Sequence, residues 1–102
     1  MKWIIICSGG ISSDILIKNL KRSAEDANKS FQSARAMSVF EFEDLNTVEA
    51  DVILVAPQVR YMIDSIKTKA ESFDKKVYEI EASEYSPLHS DSLFKKVVEE
   101  FY

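Results

Sequence analysis

Apolar positions along this chain alternate between short unbroken runs and stripes spaced three or four residues apart. The run "KWIIIC" (2–7) is short and β-branched, as in a strand buried on both faces. From Ser12 or Ser13 the spacing becomes helical, with Leu16, Leu20, Ala24 and Ala27 on one face. Either serine can cap that helix, and Asn28 is a plausible stop. "FQSARAMSVF" (31–40) alternates imperfectly and predicts a less regular strand, and "EFEDLNTVEA" (41–50) predicts a short helical turn. "DVILVAP" (51–57) is a second buried strand, ended by Pro57. Val59, Met62, Ile63, Ile66, Ala70 and Phe73 form the stripe of an amphipathic helix. "KKVYEIE" (75–81) reads as a fourth strand, and "SDSLFKKVVEEF" (90–101) as a closing helix with Leu93, Phe94, Val97, Val98 and Phe101 inward.

Strands that alternate with helices imply a parallel sheet joined by right-handed crossovers. The expected fold is α/β: one small doubly wound domain over residues 1–102, with a four-stranded parallel sheet in the order 2-1-3-4 and helices on both faces. Ligands in such sheets bind beyond the carboxyl ends of the strands, where the strand order reverses. Here that point lies between the first and third strands, whose ends carry Cys7 and the Ala56-Pro57-Gln58 turn.

Composition narrows the classes. At 102 residues, 46% hydrophobic and 29% charged, the chain suits a globular domain. No apolar run approaches the roughly 20 residues of a membrane span, and the N-terminal run is too short for a signal peptide. A cytoplasmic address without direct membrane insertion is expected. A net charge of −4 with scattered Lys and Arg argues against a nucleic-acid partner. The single cysteine cannot form an internal disulfide, which suits a reducing compartment.

That cysteine and the only two glycines fall within "CSGGISSD" (7–14), between a strand end and a helix start. A tight loop leading into a helix N-terminus directs backbone N–H groups at one point, a nest for a phosphate. Gly9 and Gly10 let the backbone curl close to such a ligand, and Ser8, Ser12 and Ser13 add hydroxyls. The same field favours a thiolate over a thiol of pKa ~8.5, making the sulfur a nucleophile that can accept a phosphoryl group. The alternative is an inert cysteine buried at a strand end, a common place for that residue.

"IIICSGGISSDILIKNLKRSAED" resembles the first strand, active loop and first helix of the lactose/cellobiose-type enzyme IIB family of the sugar phosphotransferase system. "ADVILVAPQVRYMIDSIK" is similar to that family's second signature, an aspartate-led strand ending in Gly-Pro-Gln and continuing Val-Arg-Tyr into a helix. The resemblance implies a phosphocarrier. In that resemblance Cys7 would take a phosphoryl group from a phosphohistidine of enzyme IIA and pass it to a sugar of the cellobiose, chitobiose and lactose class entering through the membrane permease, enzyme IIC. The loop Ser8, Gly9, Gly10, Ile11, Ser12, Ser13 and Asp14 maps onto the family's phosphate cradle, and neither cofactor nor metal is implied.

Departures from the family pattern fall at Asp14, usually a small hydroxyl or neutral residue, at Ala56 in place of Gly, and in "YSPLHS", which keeps Tyr85 but has Ser86 and Ser90 where glycines are common. An acid in the cradle opposes a dianion, whereas one pointing outward complements the helix dipole. The outward placement is expected. Pro57, Gln58, Arg60 and Tyr85 are candidate rim or partner contacts, with capping open for Gln58 and a surface ion pair for Arg60. Tyr61 is a further docking candidate. His89, the only histidine, reads as a solvated loop residue, Trp3 and the phenylalanines as core or rim, and Lys67, Lys69, Lys75 and Lys76 as a solvated face.

Two rival classes stand beside the carrier. A low-molecular-weight tyrosine phosphatase-like or arsenate reductase-like enzyme also sets a cysteine after its first strand, but clamps phosphate with an arginine six residues later. Here that position is Ser13, and the chain has no Asp-Pro pair to supply a leaving-group acid. The other rival is a non-catalytic regulatory domain of enzyme IIB type.

Overall fold

β1 (Lys2–Ile6) and β3 (Val52–Val55) lie side by side at the centre of a four-stranded parallel sheet in the computed structural model. The structure describes residues 1–8 and 11–102, with backbone alone for Ile11, Ser12, Ser13 and Pro87. β2 (Ser33–Met37) flanks β1, and β4 (Lys76–Glu79) flanks β3, so the order is 2-1-3-4 as expected. Trp3 pairs with Val52, Ile4 with Ile53, Ile5 with Leu54 and Ile6 with Val55. This register places like faces together. Ile4, Ile6, Ile53 and Val55 point into one core layer; Trp3, Ile5, Val52 and Leu54 point into the other.

Helices cover both layers. α1 (Ile11–Asp26) and α4 (Ser90–Phe101) close one face with Leu16, Leu20, Ala24, Leu93, Phe94 and Val97. α2 (Val39–Glu43) and α3 (Ile63–Ser72) close the other with Val39, Phe42, Ile66 and Ala70. Removing a leucine side chain from a site of this kind costs about 2–5 kcal/mol, so the apolar pattern carries most of the fold's specificity.

The ends of the elements follow local chemistry. α2 opens with a capping box: Ser38 Oγ accepts from the Glu41 N–H at 3.1 Å, and the Ser38 N–H donates to Glu41 Oε1 at 3.3 Å. α1 and α3 close alike. Asn28 and Asp74 each take φ 60°, while Lys29 N–H donates to Ala24 O and Lys75 N–H to Ala70 O, both at 2.9 Å. Asn and Asp tolerate this left-handed geometry better than most residues.

Four local expectations are corrected. α1 begins at Ile11, so Ser12 and Ser13 lie inside it and do not cap it. Ala27 is exposed, because the helix has ended at Asp26 and the chain is turning through Asn28. The stripe from Val59 divides into a 3-10 turn over Pro57–Met62 and then α3, since Val59 leaves helical geometry at φ −115° with its side chain buried. Lys69 is not simply solvated: its ammonium donates to Glu43 O at 2.8 Å and Leu45 O at 2.6 Å, satisfying carbonyls at the end of α2.

Opposite the carboxyl ends, the exposed Tyr102 is hydrogen-bonded to the buried Trp3. Trp3 Nε1 donates to the Tyr102 hydroxyl at 3.1 Å, and that hydroxyl donates to Asp51 Oδ2 at 3.1 Å. Partial desolvation of its hydroxyl, opposed by the Trp3 N–H and reinforced by the Asp51 carboxylate, pushes Tyr102 up to about 12, although the residue as a whole is exposed. A raised phenol pKa means that the protonated form stabilises the fold below the ordinary value of 10 and that this contribution fades as pH rises through the folded value. Tyr102→Phe is expected to lower unfolding free energy at pH 7 by about 0.5–1.5 kcal/mol. Urea titrations at pH 7 and in the alkaline range check this, with the difference between variant and parent shrinking at the higher pH.

Candidate active site

The carboxyl ends of β1 and β3 meet where the strand order reverses. The Cys7 N–H donates to Met37 O at 3.0 Å, and the Ala56 N–H donates to Ile6 O at 2.9 Å, tying the ends of β2, β1 and β3 together just past Ile6. At this level the side-chain alternation breaks. Ile6 and Cys7 pack into the same core layer, as do Val55 and Ala56. Both central strands therefore stop being regular strands side by side, the geometry that opens a switch-point crevice.

Cys7 stands at the strand end as expected, yet it is only 3% exposed and packs in the layer that contains Met37, Val39, Phe42 and Val59. Ser8, the next residue, is exposed. The expected nest at Gly9 and Gly10 lies outside the described residues, as do the side chains of Ile11, Ser12 and Ser13. Asp14 is exposed in the first turn of α1, a place where a carboxylate complements the helix dipole.

The second loop gathers the other candidates. Pro57, Gln58, Ala82, Tyr85 and Ser86 line a shallow depression of about 520 Å³, so the turn after β3 and the loop after β4 share one surface. Gln58 and Tyr61 are exposed, and Tyr85 is half-buried against both core layers. Arg60 reaches Glu81 at 3.9 Å with both side chains largely in solvent, a surface pair of little energetic weight. His89 is exposed at the end of a 3-10 turn over Pro87–His89. Among the described residues no group of three His, Cys, Asp or Glu side chains could hold a metal ion. No helix among them is long and apolar enough to cross a membrane.

Sequence reasoning missed the Glu84 cluster. Glu84 is buried in a 3-10 turn over Ala82–Glu84, where Oε1 accepts the Glu81 N–H at 2.9 Å and Oε2 accepts Lys96 Nζ at 3.0 Å. The Tyr78 hydroxyl donates to both oxygens, at 3.1 and 2.9 Å. Burial alone raises the carboxyl pKa, but the Glu81 N–H, Lys96 and Tyr78 outweigh it and hold Glu84 below its ordinary 4.5. For Tyr78, burial and then the neighbouring Glu84 hold the phenol well above the usual tyrosine range. The spacing of Glu81 and Glu84, three residues apart at a turn, was the one available signal.

Known proteins agree with this architecture. The sequence profile of the PTS system, Lactose/Cellobiose specific IIB subunit, matches residues 2–96. The chain belongs to this family of sugar phosphotransferase components, and so is a phosphotransferase of sugar uptake with a phosphocarrier role; IIB domains of this system work with IIA and IIC partners. Its fold is similar to that of the lactose-specific IIB component domain from Streptococcus pneumoniae, with a TM-score of 0.82 at 20% identity over 100% of this chain and 98% of that one. It is also similar to the cellobiose-specific phosphotransferase IIB component protein from Borrelia burgdorferi, with a TM-score of 0.74 at 18% identity over 99% and 91% of the two chains. No curated protein matches significantly in sequence.

A lowered carboxyl pKa stabilises the fold above the unfolded value and ceases to do so as pH falls through the folded one. Glu84→Gln is therefore expected to cost about 1.5–3 kcal/mol at pH 7, the range for hydrogen bonds to a charged group. The gap from the parent should close as pH falls below 4.5, the ordinary value. Chemical denaturation across the acid range measures that gap.

Proposed function

We propose that residues 1–102 act as one enzyme IIB unit at the cytoplasmic side, in which Cys7 is the phosphoryl carrier. The Cys7 thiolate attacks the phosphorus of a phosphohistidine on enzyme IIA; the N–P bond breaks, an S–P bond forms, and the histidine, protonated on its other ring nitrogen, leaves as neutral imidazole. In the second step a sugar hydroxyl attacks phosphocysteine, the O–P bond forms, the S–P bond breaks and the hydroxyl proton is released. The sugar is of the cellobiose, chitobiose or lactose class and is presented by enzyme IIC.

The observation that carries this reading is the position of Cys7, one residue past β1 at the switch point and four residues before α1 begins. A helix N-terminus favours negative charge near it, which serves both a thiolate and a bound phosphoryl dianion. Ser8 to Asp14 form the cradle in this reading, and Pro57, Gln58, Arg60 and Tyr85 form the rim that meets partners. The absence of an arginine at position 13 suits a carrier, since nothing clamps the phosphate for attack by water.

The near-complete burial of Cys7 favours a second reading, a non-catalytic regulatory domain. Under the carrier reading the sulfur has to gain exposure before it meets its donor. Incubation with phosphorylated enzyme IIA is expected to add one phosphate, held as a thiophosphate, lost in Cys7→Ser and retained in His89→Ala. A parent chain that binds the donor but takes no label establishes the regulatory reading instead. Steady hydrolysis of aryl phosphate that depends on Cys7 establishes the phosphatase class.

The exposed Asp14 supplies a further check. With its side chain away from the cradle, Asp14→Ser should leave the rate of Cys7 labelling within about twofold and lower stability by about 0.3–1 kcal/mol through the lost dipole interaction. A labelling rate raised about tenfold or more, equal to roughly 1.4 kcal/mol, places the carboxylate against the phosphate instead.

A further inference from the structure

Phosphoryl transfer through Cys7 makes no direct use of Glu84, although this is the one acidic side chain among the buried residues described. An ionised carboxylate taken out of water is expensive, and apolar packing of similar volume is often as stable. Here the charge is held by groups from three separate elements: Tyr78 of β4, the Glu81 backbone at the turn, and Lys96 of α4. Together they fix the position of the turn between the last strand and the last helix.

The residue that this turn delivers is Tyr85. It packs against both core layers and shares the depression of Pro57, Gln58, Ala82 and Ser86. Pro57 and Gln58 directly follow Ala56, whose N–H is bonded to the residue before Cys7. A tyrosine so placed is an amphipathic contact with few rotatable bonds, and holding it in advance lowers the entropy lost when a protein docks.

We infer that Glu84 is a positioning residue for docking of the phosphoryl donor: its carboxylate, held by Tyr78, Lys96 and the Glu81 N–H, sets Tyr85 at the carboxyl edge beside Pro57 and Gln58, where Tyr85 contacts enzyme IIA. The inference rests on the phosphocarrier reading for the identity of the partner. It does not require that Cys7 be the phosphorylated atom.

The test is a double-mutant cycle on the dissociation constant of unphosphorylated enzyme IIA, measured by titration calorimetry with the full chain. Glu84→Gln is expected to weaken binding about fivefold and Tyr85→Ala at least as much, with the double variant no weaker than Tyr85→Ala alone within about twofold. A merely structural Glu84 produces no such non-additivity. Amide hydrogen exchange at Tyr85 and Ser86 should speed up in Glu84→Gln while exchange in β1 and β3 stays unchanged. Tyr78→Phe, which leaves Lys96 and the Glu81 N–H in place, repeats the cycle if Glu84→Gln does not fold. Unchanged affinity in either single variant, or effects that multiply in the double, overturns the inference. Labelling by phosphorylated enzyme IIA is scored separately: coupling without Cys7 label overturns the carrier site and leaves the positioning role standing, whereas Cys7 label without coupling does the reverse.

Discussion

The in-register pairing of β1 with β3 is the constraint on which the rest of the molecule depends. Each strand is apolar on both faces, so neither can lie at a solvated edge, and burying one requires the other beside it and helices above and below. That requirement sends the chain from β1 out to β2, back across to β3 and on to β4. That order reverses between β1 and β3, and Cys7 and Ala56 stand at their carboxyl ends.

The two ends of the sheet are built for different purposes. At the amino ends, Trp3 stacks edge-on to Phe31 with ring centres 4.9 Å apart, and the Trp3, Tyr102 and Asp51 chain of hydrogen bonds ties the terminus down. At the carboxyl ends, regular pairing stops, alternation breaks at Cys7 and Ala56, and the chain runs through short 3-10 turns. Aromatic packing gathers at the amino end, whereas the carboxyl end presents short turns anchored by the buried Glu84.

Burial of Cys7 and burial of Glu84 have opposite meanings. A thiol is easily buried, because it behaves as a small apolar group, and its layer of Met37, Val39 and Phe42 is an ordinary core environment. A carboxylate is buried only if its lone pairs are satisfied, and Glu84 meets that condition with four hydrogen-bond contacts. The first arrangement is ordinary core packing; the second commits the turn before Tyr85 to one position.

Periodicity determined the alternation of strands and helices, the parallel sheet with its two central strands and the placement of Cys7 at a strand end, because each follows from contacts local in sequence or from the two-sided burial of "WIII" and "VILV"; the lateral order 2-1-3-4 was an expectation that the strand pairing bears out. The loop resemblance added the family, through residues adjacent in the chain. Tertiary structure alone decided that Cys7 is covered, that Lys69 serves the end of α2, and that Pro57, Gln58 and Tyr85 share one surface. It alone joined Glu84 to Tyr78 and Lys96. These are contacts between side chains brought together by packing, and a polar residue has no periodic signature to announce which partner will satisfy it.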